Sequence, residues 1–218
     1  MRRIKRITLF TVACVALAFA STAGPNAAGT GGTAGTCNGF TVACWTSPGN
    51  LTANDGVFAS ASVGPGATSN QLQATNFGFT IPTGSTINGI QVDTENLATF
   101  NSGALSLLIQ MLKAGAAAGV AKSVGSPTAY PGTEAFVTVG NSTDLWNTTW
   151  TPADINSTGF GVQQQALEIT GLGSGVANVD FVRITVTYTP PAAPSTGGAH
   201  RIIQTQTRSG RMQRGLPA

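Results

Sequence analysis

Val179-Asp180-Phe181-Val182-Arg183-Ile184-Thr185-Val186-Thr187-Tyr188 is the stretch that decides the fold. From Val182 onward apolar and polar residues alternate, so Val182, Ile184, Val186 and Tyr188 point to one side of an extended chain. Arg183, Thr185 and Thr187 point to the other. Upstream, Leu105, Leu107, Ile109 and Met111 interleave with Ser106, Gln110 and Lys113, which gives a second strand with one apolar and one mixed face. Turn signals separate such runs, among them Asn54-Asp55-Gly56, Pro65-Gly66, Pro82-Thr83-Gly84 and Pro131-Gly132. No apolar stripe of helical period is sustained anywhere between them. The expected fold class is all-β, a single antiparallel β-sandwich over residues 36–189. About 150 residues suffice for one such core, which buries roughly 70% of the unfolded chain's surface. One helical turn is expected near 151–156, where Thr151 suits an N-cap, Pro152 the first helical position and Asp154 the positive helix end. Trp150 and Ile155 would anchor it.

The ends differ from this body in charge. Arg2, Arg3, Lys5 and Arg6 open the chain and Arg201, Arg208, Arg211 and Arg214 close it. The middle holds three cations (Lys113, Lys122, Arg183) against all eight acids, a net of −5. The basic start, the apolar run Ile7 to Ala20 and the small residues of Ala18-Phe19-Ala20 make residues 1–20 an export signal, cut before Ser21 or, second, after Ala23. A membrane span needs roughly 20 apolar residues, and here Gly24 and Pro25 follow a shorter run. No transmembrane span is expected, and the protein is placed outside the cell. Residues 21–35 read as a Gly/Thr-rich lead-in, 190–199 as a Pro/Gly linker and 200–218 as a flexible basic tail. The tail has no aromatic residue to stack on bases, so specific nucleic-acid recognition is not expected. Its charge suits a neighbouring copy or an anionic cell-surface polymer. Cys37 and Cys44 are expected to form a disulfide, because an exported chain favours it and no histidine or third cysteine follows the signal within the body to complete a zinc site.

Further motifs carry a resemblance. Trp45-Thr46-Ser47-Pro48-Gly49-Asn50, Asn54-Asp55-Gly56-Val57-Phe58-Ala59 and Ile81-Pro82-Thr83-Gly84-Ser85-Thr86-Ile87-Asn88-Gly89-Ile90 come first. Asp144-Leu145-Trp146, Trp150-Thr151-Pro152-Ala153-Asp154-Ile155-Asn156, Phe160-Gly161-Val162 and the closing strand follow in order. Together they resemble a recurrent secreted and phage-associated β-sandwich domain. The resemblance covers nearly all of the body and implies a jelly-roll-like sandwich displayed outside the cell or on a virion. It implies no catalytic residues.

Candidate sites are few. Asp93 and Glu95 lie two apart, so on a strand both carboxylates leave the same face, as a calcium site or a glycoside hydrolase requires. Asn96 offers a further oxygen. A solvated strand face is the commoner meaning of such a pair, and nothing nearby in sequence raises one acid for hydrolysis. Calcium is thus the only cofactor for which the sequence offers ligands. Trp146 and Trp150, with Asn147 between them and Tyr130 and Trp45 on other loops, are candidates for stacking on a polysaccharide if exposed, or large core residues if not. Gly171-Leu172-Gly173-Ser174-Gly175 reads as a hairpin loop and lacks the lysine and helix of a phosphate loop. The only histidine, His200, lies in the tail, so the serines of the body have no partner of the kind a nucleophilic triad uses.

Three functions follow in descending order. The first is a non-enzymatic surface, matrix or virion component that self-associates through its basic tail. The second is an extracellular carbohydrate-binding module using exposed aromatics. The third is a polysaccharide-active enzyme built on Asp93 or Glu95.

Overall fold

In a computed structural model, which describes residues 19–101, 104–126 and 128–193, the alternating stretch lies within one long strand. The expected export signal up to residue 18 and the expected basic tail lie outside the described residues. In chain order the strands are β1 (Ser21–Ala27), β2 (Thr30–Ala34), β3 (Val42–Ala43), β4 (Ala59–Val63), β5 (Thr68–Ser69) and β6 (Gln71–Thr75). They continue as β7 (Thr86–Asn101), β8 (Leu105–Lys113), β9 (Ala116–Val124), β10 (Ala135–Gly140), β11 (Gly161–Glu168) and β12 (Ser174–Thr189). A 3-10 turn covers Pro48–Leu51, and α1 covers Pro152–Asn156.

These strands form two sheets, as the alternation requires. In the first, β12 pairs along one edge with β7, which carries β10 beyond it. Its other edge is shared: β4 takes Gly175 to Val179, and β1 takes Arg183 to Tyr188. The second sheet repeats the device around β11, whose one edge is shared by β6 and β5 while β8, then β9, lie on the other. All pairings are antiparallel except the two-residue contact of β3 with β5. Val182, Ile184 and Val186 of β12, with Ile90 and Val92 of β7, face Leu105, Leu107, Ile109 and Met111 of β8, all fully buried. The core therefore sits between the sheets, with the alternation of β8 and β12 as expected.

The sandwich starts at Ser21 and not at residue 36. Residues 21–35, expected as a lead-in, supply an edge strand to each sheet: β1 runs from Ser21 opposite Tyr188 to Ala27 opposite Arg183, and β2 lies beside β6. Edge strands are held by backbone hydrogen bonds and bury little side chain, so a Gly/Thr-rich composition hides them from a reading based on apolar alternation. Gly31 has a specific role, since a Cβ there would lie 1.9 Å from the Pro48 carbonyl oxygen. The loop 169–173 is likewise not a hairpin. It carries the chain from β11 in one sheet to β12 in the other.

Local expectations at α1 and the cysteines hold. The Thr151 side chain accepts a hydrogen bond from the Asp154 N–H, and the Asp154 carboxylate accepts from the Thr151 N–H, a complete capping box. Ile155 is buried, and Cys37 and Cys44 are joined. Among the described residues no helix is long and apolar enough to cross a membrane.

Trp146 closes one corner. Its backbone turns left-handed (φ 56°), as does that of Asn147 (φ 55°), and the Asp144 carboxylate holds the turn by accepting from the Trp146 N–H at 2.8 Å. The indole Nε1 donates to the Ile90 carbonyl of β7 at 3.0 Å, and the Trp146 carbonyl accepts from the Val120 N–H of β9 at 2.9 Å. One residue thus ties the two sheets. Gly119 makes the approach feasible, because a Cβ there would lie 2.1 Å from the Trp146 carbonyl oxygen. Trp146→Ala is expected to cost about 3–5 kcal/mol, which urea denaturation followed by circular dichroism would measure.

Candidate functional site

Alternation along β12 is interrupted once. Val179 and Val182 both face the core, so one extra residue must be absorbed between them, and the register with β7 slips there: Val179 lies opposite Asn96, Phe181 opposite Glu95. Asp180 is the extra residue. It sits where β12 passes from β4 to β1, and the loop Asn54-Asp55-Gly56 fills the gap between those two strands from the side. The Gly56 N–H donates to Asp180 Oδ2 at 3.2 Å, and the Asn54 amide donates to Glu95. Glu134, just ahead of β10, completes a row across three adjacent strands, and carboxylate oxygens of Glu95, Glu134 and Asp180 all lie within 4.8 Å of one another. Asp180 has no accessible surface, Glu95 is half-buried and Glu134 is exposed. Asp180 Oδ1 has no hydrogen-bond partner.

This arrangement splits the pair expected from sequence. Asp93 and Glu95 do leave the same face of β7, but Asp93 is fully engaged by Arg183 Nε at 3.1 Å, by the Thr138 hydroxyl at 2.7 Å and by the Gln91 amide at 3.1 Å. Only Glu95 is placed for a cation. Asn96 turns to the opposite face, where it accepts from Thr94 and donates to the Ala129 carbonyl. The partners of Glu95 were not legible, because Asp180 and Glu134 reach it only through strand pairing and a bulge.

The aromatic candidates are corrected as well. Trp146 and Trp150 are 1% and 7% exposed and Tyr130 is fully buried, so none presents a face to a sugar. Trp150 packs edge-on against Phe160 at 5.6 Å, and its indole N–H donates to the Leu145 carbonyl. Lys122 and Lys113 cover what remains of Trp146 and Trp150, at 5.1 and 5.6 Å from their rings. Trp45 is buried too, donating to Ser69 and to the Asn70 carbonyl. Asn147 stays exposed but has lost its aromatic neighbours as a platform.

Elsewhere the charges of the body are spent locally. Lys113 pairs with Asp154 at 2.9 Å, Lys122 with Asp144 at 2.8 Å and Arg183 with Asp93. Glu168, at the end of β11, accepts from the backbone N–H groups of Gly66, Thr170 and Gly171 and from the Thr170 hydroxyl. It thereby joins the Pro65-Gly66 turn to the loop that crosses between sheets. The remaining four acids, Asp55, Glu95, Glu134 and Asp180, are those of the cluster and its covering loop.

The two acid sites titrate in opposite directions. Burial, then the charge of Asp180, raises Glu95 above the ordinary glutamate value, with Arg183 and the Asn54 hydrogen bond opposing. Glu134 is raised by desolvation, then by the charges of Asp180 and Glu95. Burial alone would raise Glu168, but its backbone and hydroxyl donors outweigh that and hold it at about 2. A carboxyl raised by folding binds protons more tightly in the native state, so its penalty is present at neutral pH and fades as pH falls toward 4.5. A lowered carboxyl contributes stability that is complete above 4.5 and lost toward about 2. In metal-free buffer, stability is therefore expected to rise from neutral pH toward pH 4.5 and to collapse below it. Urea midpoints across that range would show it, and Glu134→Gln should flatten the neutral limb alone. Glu168→Ala should cost about 2–4 kcal/mol at neutral pH, through donors left without an acceptor.

Fold and site define an all-β protein of two antiparallel sheets with an acidic row on the outer face of one. No family profile matches the chain, and no curated protein matches it.

Proposed function

We propose that the chain is an exported, non-catalytic β-sandwich that serves as a surface, matrix or virion component and joins its neighbours through the basic tail. The observation that carries this reading is the placement of unpaired charge. Each cation of the body is taken by one acid, and Glu168 is taken by backbone donors, so the four acids left over gather in one patch. Arg201, Arg208, Arg211 and Arg214 in the tail carry the opposite sign with no acid among them. A body with one negative patch, joined by a Pro/Gly linker to a positive tail, is suited to head-to-tail contact between copies. Export is supported by the basic and apolar start of the sequence and by the Cys37–Cys44 disulfide.

Such contact is electrostatic and must weaken with salt, because the screening length falls from about 30 Å at about 0.01 M to about 3 Å at about 1 M. Light scattering is expected to give a mass above the monomer at the lower salt and the monomer at the higher. The Arg201/Arg208/Arg211/Arg214→Gln variant should be monomeric at both. A wild-type chain that is monomeric at both salts would refute assembly through the tail.

A further inference from the structure

We infer that Glu95, Glu134 and Asp180 form a binding site for a divalent cation of calcium's size and hardness. Calcium–oxygen bonds of about 2.3–2.6 Å allow two ligands of one ion to stand up to roughly 4.6–5.2 Å apart, and the three carboxylates here lie within 4.8 Å of one another. Magnesium demands near-ideal octahedral geometry and gives up its water reluctantly, which three carboxylates in a row on one sheet face serve less well. The second and independent observation is Asp180 itself. Its carboxylate is fully buried, Oδ2 has a donor in the Gly56 N–H, and Oδ1 has none. A buried carboxylate oxygen without a donor is costly, and the cost is offset when a cation completes its surroundings.

Architecture favours an ion over a side chain as the missing partner. Arg183, the nearest cation of the body, is already held by Asp93 and packed over the Phe136 ring at 4.2 Å. The other two cations of the body, Lys113 and Lys122, are paired with Asp154 and Asp144. A bare ion can enter beside exposed Glu134 and be held from below by Asp180. Glu95 is fixed in place by the Asn54 amide, and the loop that supplies Asn54 also supplies Gly56 to Asp180, so the covering loop pre-orients two of the three ligands. Water completes the six to eight oxygens that calcium takes, on the open side beside Glu134. The ion would cancel two of the four negative charges on which the tail is proposed to dock, so calcium should weaken that contact, while the site itself rests on the carboxylate geometry and not on the tail.

The test is isothermal titration of the full-length chain with calcium chloride in about 0.15 M salt, after chelator treatment, with thermal melts in parallel. One ion per chain is expected, with a dissociation constant on the order of 10⁻⁴–10⁻³ M as in extracellular calcium modules, and a melting temperature that rises with calcium. Glu134→Gln, an exposed change, should weaken binding at least tenfold, and magnesium should bind less tightly. Asp154→Asn, outside the row, should bind as wild type. Absence of both heat and melting shift at about 10 mM calcium, some tenfold above the weaker expected constant, would overturn the inference. So would binding that Glu134→Gln leaves unchanged. Loss of salt-dependent association without loss of calcium binding would overturn the tail reading alone.

Discussion

The pairing of β12 with three strands at once holds this protein together. Along one edge it is matched to β7 from Ser174 to Thr189, and along the other it gives its first half to β4 and its second to β1. Two short strands laid end to end beside a long one leave a gap at the joint, and the backbone groups in that gap need partners. The structure meets this need with a bulge and a loop: Thr52 bridges to Phe181 and the Ala28 N–H donates to the Val182 carbonyl, while the Gly56 N–H of the covering loop donates to the Asp180 carboxylate. The bulge also restores the core-facing parity between Val179 and Val182, so both halves of β12 bury apolar side chains. Position 180 is therefore an extra residue by necessity, whose side chain is free of the inside–outside alternation.

An aspartate at that position ties the fold to the chemistry of the surface. The Thr52–Phe181 and Ala28–Val182 backbone contacts need no carboxylate at 180, yet Asp180 is buried with its oxygens close to those of Glu95 and Glu134, where like charges repel. The other acids of the body show what a satisfied carboxylate looks like in this protein. Asp93 has a guanidinium, a hydroxyl and an amide, and Glu168 has three backbone N–H groups. The row at the bulge departs from that pattern in having more oxygens than donors. That imbalance gives the outer face of this sheet its character.

Aromatic side chains contribute in the opposite sense, by being withdrawn from the surface. The left-handed turn at Trp146 and Asn147 directs one indole inward, and the capped turn of α1 buries Ile155 beside Trp150, whose ring packs onto Phe160. Each indole N–H finds a carbonyl. The two tryptophans thus work as corner posts of the sandwich. What the surface keeps is polar and small, apart from a few exposed apolar side chains such as Phe40 and Leu172.

Some of this was legible in the chain and some was not. Alternation at 105–111 and 182–188 specified strands and their buried faces, because side-chain direction in a strand depends only on parity. Thr151-Pro152-Ala153-Asp154 specified a capped helical turn, because the cap is made by residues three apart. Cys37 and Cys44 specified their bond by proximity and number. The edge strands β1 and β2, the crossing of loop 169–173 between sheets and the inward turn of Trp146 were decided by tertiary structure, since each depends on a partner distant in sequence. The acidic row belongs with them. Sequence placed Asp93 with Glu95, yet strand pairing gave Asp93 to Arg183 and brought Glu95 to Glu134 and Asp180, because neighbours across a sheet are set by register and not by spacing along the chain.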